Sequence, residues 1–168
     1  MDFYTGLILM HIVGTVLGVG GATFAEVNMI RALRDGEISF DESELMKATY
    51  AVLRLGFFML IISGFGFLLY YRLIGAEELL YSEKLWAKLT IIVALALNAI
   101  FMQMHLMPII WGSAISFASW YGALILGILR GADYTYFGVL VAYVISVILM
   151  YFVIGYVHKI FIPQKKHM

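Results

Sequence analysis

Five ionisable side chains, His11, Glu26, Arg54, Lys88 and His105, sit within runs that are otherwise aliphatic, aromatic or small. A charge in hydrocarbon costs about 2.5–3.5 kcal/mol even on an insertion scale, so each of the five asks for a partner or a task. Glu26 and Arg54 carry opposite charge and approach the same end of their spans, which predicts an ion pair between them. Arg54 can instead anchor a carboxylate or propionate, because its planar fork binds such groups through two parallel hydrogen bonds. The segment FMQMHLMP at 101–108 offers Met102, Met104, His105 and Met107 as thioether and imidazole donors suited to copper(I) or haem iron. Methionine is also ordinary apolar filler. His158 comes to the same level as His105, where an imidazole pair is geometrically open.

Helical periodicity decides which of these groups share a face. At about 100° per residue, His11, Gly14, Thr15, Gly18, Ala22, Glu26 and Met29 form one small and polar stripe of the first span, which must face protein. Gly14 and Gly18 make a G-x-x-x-G, thinned further by Gly20 and Gly21, and admit a neighbouring backbone or a flat ligand. In the third span Lys84, Lys88, Ile91, Leu95, Asn98, Met102 and His105 fall within an arc of about 100°. These two spans run parallel, so His11 and Lys88 sit at similar depth near one end, and Glu26 and His105 near the other.

The surroundings are apolar throughout. Of 168 residues, 63% are hydrophobic, 15% aromatic and only 13% charged, with a mean hydropathy of +0.95. Soluble domains are about 25% charged, so this composition belongs in lipid and excludes a soluble enzyme or a nucleic-acid binder. Eleven basic residues balance eleven acidic ones, and there is no cysteine, which removes disulfides, thiolate zinc sites and iron–sulfur clusters. The hydrolase signatures G-x-S-x-G and H-E-x-x-H are absent. Ser113, Ser116 and Ser119 read as small packing residues, and the tryptophans and tyrosines as interfacial belts or ring packing.

Five runs are long enough to cross a roughly 30 Å hydrocarbon layer: about 3–30, 48–71, 85–107, 109–129 and 136–162. The expected fold is an all-α polytopic membrane helical bundle with five transmembrane helices, forming one domain over 1–168. The opening run lacks a basic leader and an A-x-A site and reads as a retained span. In the polar link 31–47 a helix start is expected at Asp41 or Ser43, followed by Glu44. Pro108 makes a tight hairpin, and Gly131 marks the last turn. One side collects Arg31, Arg34, Lys47, Lys159, Lys165 and Lys166, and the other Arg72, Lys84 and Arg130, which favours an outside amino terminus and a cytoplasmic tail. His167 in that tail is expected to be solvated.

The runs LILMHIVGTVLGVGGATFAEVNMIRAL (7–33) and KLWAKLTIIVALALNA (84–99), with Arg54 leading the second span, resemble a family of uncharacterised small bacterial inner-membrane proteins. More distantly the chain is similar, over about its first 105 residues, to the HemJ-type protoporphyrinogen oxidases and the CopD-type copper-resistance membrane proteins. In the HemJ type a histidine early in span 1 and a lysine heading span 3 are associated with b-haem, and His11 and Lys88 match those places. Arg54 roughly matches a basic residue heading span 2. The resemblance implies a haem b-binding protein of a bacterial inner membrane, open to a haem-dependent oxidoreductase role. His11 is then axial ligand, Lys88 second ligand or propionate partner, and the Gly14/Gly18 stripe the space for the macrocycle. The alternatives are a copper or small-cation permease with His11, His105, Met102 and Glu26 as metal ligands and Asn98 on the path, or an accessory subunit of a membrane complex. Partners expected are the lipid bilayer and a homodimer or larger assembly, with no nucleic acid.

Overall fold

The computed structural model describes residues 2–34, 39–129 and 134–161. Within them the elements are α1 (Phe3–Arg34), α2 (Phe40–Leu73), a short 3₁₀ turn (Glu77–Tyr81), α3 (Glu83–Gln103), α4 (Ile109–Ile128) and α5 (Tyr136–Phe161). The expected all-α bundle is what forms, and all five long helices are long and apolar enough to cross a membrane. Arg130, Gly131, Lys165, Lys166 and His167, with the side chain of Arg34, lie outside the described residues. At 1.5 Å per residue α4 is about 30 Å long, one hydrocarbon thickness, whereas α1 and α2 reach about 48 and 51 Å.

Helix ends account for most departures from the expected spans. α2 begins eight residues before 48, ahead of the expected start at Asp41 or Ser43, because Ser39 is its N-cap. The Ser39 hydroxyl accepts from the Glu42 amide and the Glu42 carboxylate accepts from the Ser39 amide, a complete capping box. α2 stops at Gly75, where φ is 74°, with the Gly75 amide donating to the Arg72 carbonyl and the Ala76 amide to that of Tyr71. α3 stops the same way at His105: φ is 57°, its amide donates to the Met102 carbonyl, and the Leu106 amide donates to that of Phe101. Both are Schellman motifs. His105 therefore leaves the α3 face on which the helical wheel placed it, and is exposed at the turn into α4. A left-handed residue with a Cβ costs roughly 1–2 kcal/mol, so His105→Gly is expected to raise stability by about 1 kcal/mol in thermal unfolding, and His105→Val to lower it.

The packing centres on α4. α1 and α2 form an antiparallel hairpin, α1 also lies on α4, and α3, α4 and α5 pack on one another. Among the described residues neither α1 nor α2 brings its Cα trace within 8 Å of α3. Side chains close the centre: Trp120 of α4, 2% exposed, joins Ala22, Leu60 and Leu95 in one buried cluster. A second cluster of Ala87, Ile91, Leu126 and Val139 ties α3, α4 and α5 together. At that end Lys84 donates to the Leu129 carbonyl at the close of α4, and the Tyr136 amide at the start of α5 donates to the Glu83 carboxylate at 2.5 Å. Each charge sits at the helix end whose dipole it complements.

Candidate functional site

Both polar faces expected from periodicity turn into the bundle. On α1, Gly14, Gly18, Ala22 and Met29 are buried and His11, Thr15 and Glu26 half-buried; on α3, Ile91, Leu95 and Asn98 are buried and Lys88 and Met102 half-buried. His11 Nδ1 lies 2.8 Å from Ser63 Oγ on α2. Ser63 is fully buried, and its single hydroxyl proton has a strong acceptor of its own, the Met59 carbonyl at 2.6 Å. With that proton committed, Ser63 Oγ accepts from Nδ1–H of the imidazole. The neutral ring is then held in the tautomer whose Nε2 keeps its lone pair, which is how a second partner prepares a histidine to ligate or to accept a proton. Phe67 meets the same ring edge-on at 5.4 Å, and Tyr4, Tyr70 and Tyr71 extend the aromatic cluster toward the end of the hairpin. Lys88 on α3 lies in the same half of the bundle as His11, within electrostatic range of it.

The glycine stripe is filled by protein. A Cβ on Gly14 would lie 2.9 Å from the Gly56 carbonyl oxygen of α2, and one on Gly18 would run into the Trp120 ring. Of the two uses open to these glycines, close helix packing is the one realised, and neither borders free space for a macrocycle. Nor does Arg54 join His11. Its side chain is exposed, Nε donates to the Tyr50 carbonyl of its own helix at 3.3 Å, and its neighbour Leu53 packs on Gly21, well below His11.

The expected Glu26–Arg54 pair is not formed. Glu26 Oε1 is 2.6 Å from His158 Nε2 on α5, with the two side chains only 12% and 10% exposed. Burial explains the choice: the exposed Arg54 is satisfied by its own helix, whereas a buried carboxylate needs a donor inside the bundle. His158 thus belongs to Glu26 and not to His105. The proposed metal ligands also stay apart. Met102 lays its thioether over Gly112 of α4, Asn98 Nδ2 donates to the Gly112 carbonyl at 2.9 Å, His105 faces outward, and His11 is at the other end of the bundle. Among the described residues no three His, Asp or Glu side chains cluster as a metal site.

Two participants escape sequence reasoning, Ser63 and the Glu26–His158 link. Ser63 carried a signal, being the one hydroxyl-bearing residue between Val52 and Leu69. The fold defines the class of protein, a five-helix bundle with the spans of a multi-pass membrane protein. Comparison with family models, curated proteins and solved structures finds no match to the chain.

Proposed function

We propose that this chain is a haem b-binding, multi-pass protein of a bacterial inner membrane, with its amino terminus outside and its tail cytoplasmic. His11 would hold the haem iron through Nε2, Ser63 would fix the ring from Nδ1, and Lys88 would serve as second ligand or propionate partner. The observation that carries the reading is the His11–Ser63 hydrogen bond, because the committed serine proton leaves Nε2 with a free lone pair. Lys88 of α3, in the same half of the bundle and within electrostatic range of His11, supports it. Gly14, Gly18 and Arg54 have no part in this site. Bound haem would supply one-electron chemistry, while the helices supply ligation, burial and a low dielectric.

The test is the visible spectrum of the full chain purified from haem-replete cells. A Soret band is expected, lost in His11→Ala and weakened in Ser63→Ala by a roughly 10- to 100-fold drop in haem affinity, the usual effect of removing such a partner. A colourless wild-type preparation would remove this reading and leave an accessory subunit of a membrane complex.

A further inference from the structure

The buried pair that joins the first helix to the last is separate from the His11 site. His158 Nε2 lies 2.6 Å from Glu26 Oε1, and both side chains are about nine-tenths enclosed. The other ring nitrogen, Nδ1, makes no hydrogen bond among the described residues. His158 also lines an open cleft of about 500 Å³ with Pro108, Ile109, Ile110, Trp111 and Tyr151, at the start of α4. Trp111 and Tyr151 stack there at 4.3 Å. Toward the opposite end the apolar cluster of Ala22, Leu60, Leu95 and Trp120 lies between this pair and His11, Ser63 and Lys88.

We propose that Glu26 and His158 form a proton-binding site that exchanges with water through the α4 cleft and is sealed from the other half of the bundle by the Trp120 cluster. In the unloaded form a neutral imidazole donates Nε2–H to the carboxylate, and the pair carries one negative charge. A proton from water adds at Nδ1, giving an imidazolium beside a carboxylate and a net charge of zero. No other bond changes. Of the groups around the pair, α2 contributes Tyr50, which feels the Glu26 charge, and α5 contributes Tyr151. α4 contributes no charged side chain there, and Arg31, Arg54 and Lys159 are exposed. A channel would need a polar route onward, and the apolar Trp120 cluster does not offer one.

The experiment uses the full chain labelled with 5-fluorotryptophan in lipid nanodiscs, followed by fluorine resonance across an acid-to-alkaline pH series. The Trp111 signal, assigned with Trp111→Phe, is expected to follow a one-proton curve while the Trp120 signal stays fixed, and His158→Gln to abolish the movement. A Trp111 signal that ignores pH, or still moves in folded His158→Gln, overturns the proposal. Should that variant not fold, nitrogen spectra of histidine-labelled wild type decide: a ring with one hydrogen-bonded N–H whose second nitrogen gains a proton over this range supports it, and none doing so overturns it. Vesicles holding a trapped pH dye are expected to keep their internal pH after an external acid step, and protein-dependent acidification overturns the seal. None of these signals requires haem, so failure here and failure of the haem reading are distinguishable.

Discussion

Gly56→Ala is expected to cost about 1–3 kcal/mol and to unsettle the α1–α2 hairpin, because the added methyl has nowhere to go. A Cβ at Gly56 would lie 2.8 Å from the Gly14 carbonyl oxygen and 2.8 Å from the Gly18 amide nitrogen. Those atoms are backbone, so no rotamer change relieves them, and the helices must separate. The reciprocal change Gly14→Ala meets the Gly56 oxygen at 2.9 Å and the Leu60 nitrogen at 3.0 Å and should behave alike. Gly64→Ala, on the same helix with nothing within 4 Å, is the control expected to leave stability unchanged or slightly raised. Gly18→Ala differs in kind, since it meets the side chain of Trp120, and Trp120→Leu should partly restore it. Unfolding in detergent or bilayer mimetic, compared across these variants, checks the ranking. On the haem reading proposed above, Gly14→Ala and Gly56→Ala should also weaken haem retention, because Ser63 stands two turns beyond Gly56 and the hairpin register sets its 2.8 Å approach to His11.

The physical origin of that register also marks how far the sequence could be read. Apolar runs longer than a bilayer force helices, so the number and rough extent of the five follow from composition, and periodicity tells which face of α1 and α3 avoids lipid. Periodicity does not say what covers that face. Gly14 and Gly18 advertise a close approach, yet a backbone and an indole fill such a groove as well as a flat cofactor would. The wheel carried His105 onto the α3 face because it assumes that the helix continues, whereas the helix closes at Gln103 with His105 in the left-handed region. Charge arithmetic pairs Glu26 with Arg54, but it weighs cost without knowing burial, and Arg54 lies on an exposed face of α2. His158 is 132 residues from Glu26, and only the fold makes them neighbours. Ser39 and Glu42 held a capping signature in plain view, overshadowed by the polar run around them.

Breaking the Glu26–His158 pair from its two sides should give unequal results. His158→Leu leaves a carboxylate enclosed in the bundle without its donor, and losing one partner of a buried ion pair typically costs about 3–5 kcal/mol. Glu26→Leu leaves a neutral imidazole, whose lost hydrogen bond costs about 1–3 kcal/mol. Replacing both by leucine removes the stranded group along with its partner, so the double variant is expected near wild type, and it can exceed it, since apolar substitutes often match a buried pair. Unfolding of all four chains closes the cycle, and a non-additivity of about 2 kcal/mol or more identifies direct coupling. Additive losses would mean that each side chain is held by its own surroundings and that α5 docks on α1 through apolar packing alone. The asymmetry bears on function too: a pair kept only for strength gains nothing from being ionisable, because leucines serve as well. Near-wild-type stability of the double variant would therefore show that the pair is not there for strength, as a proton-binding role requires.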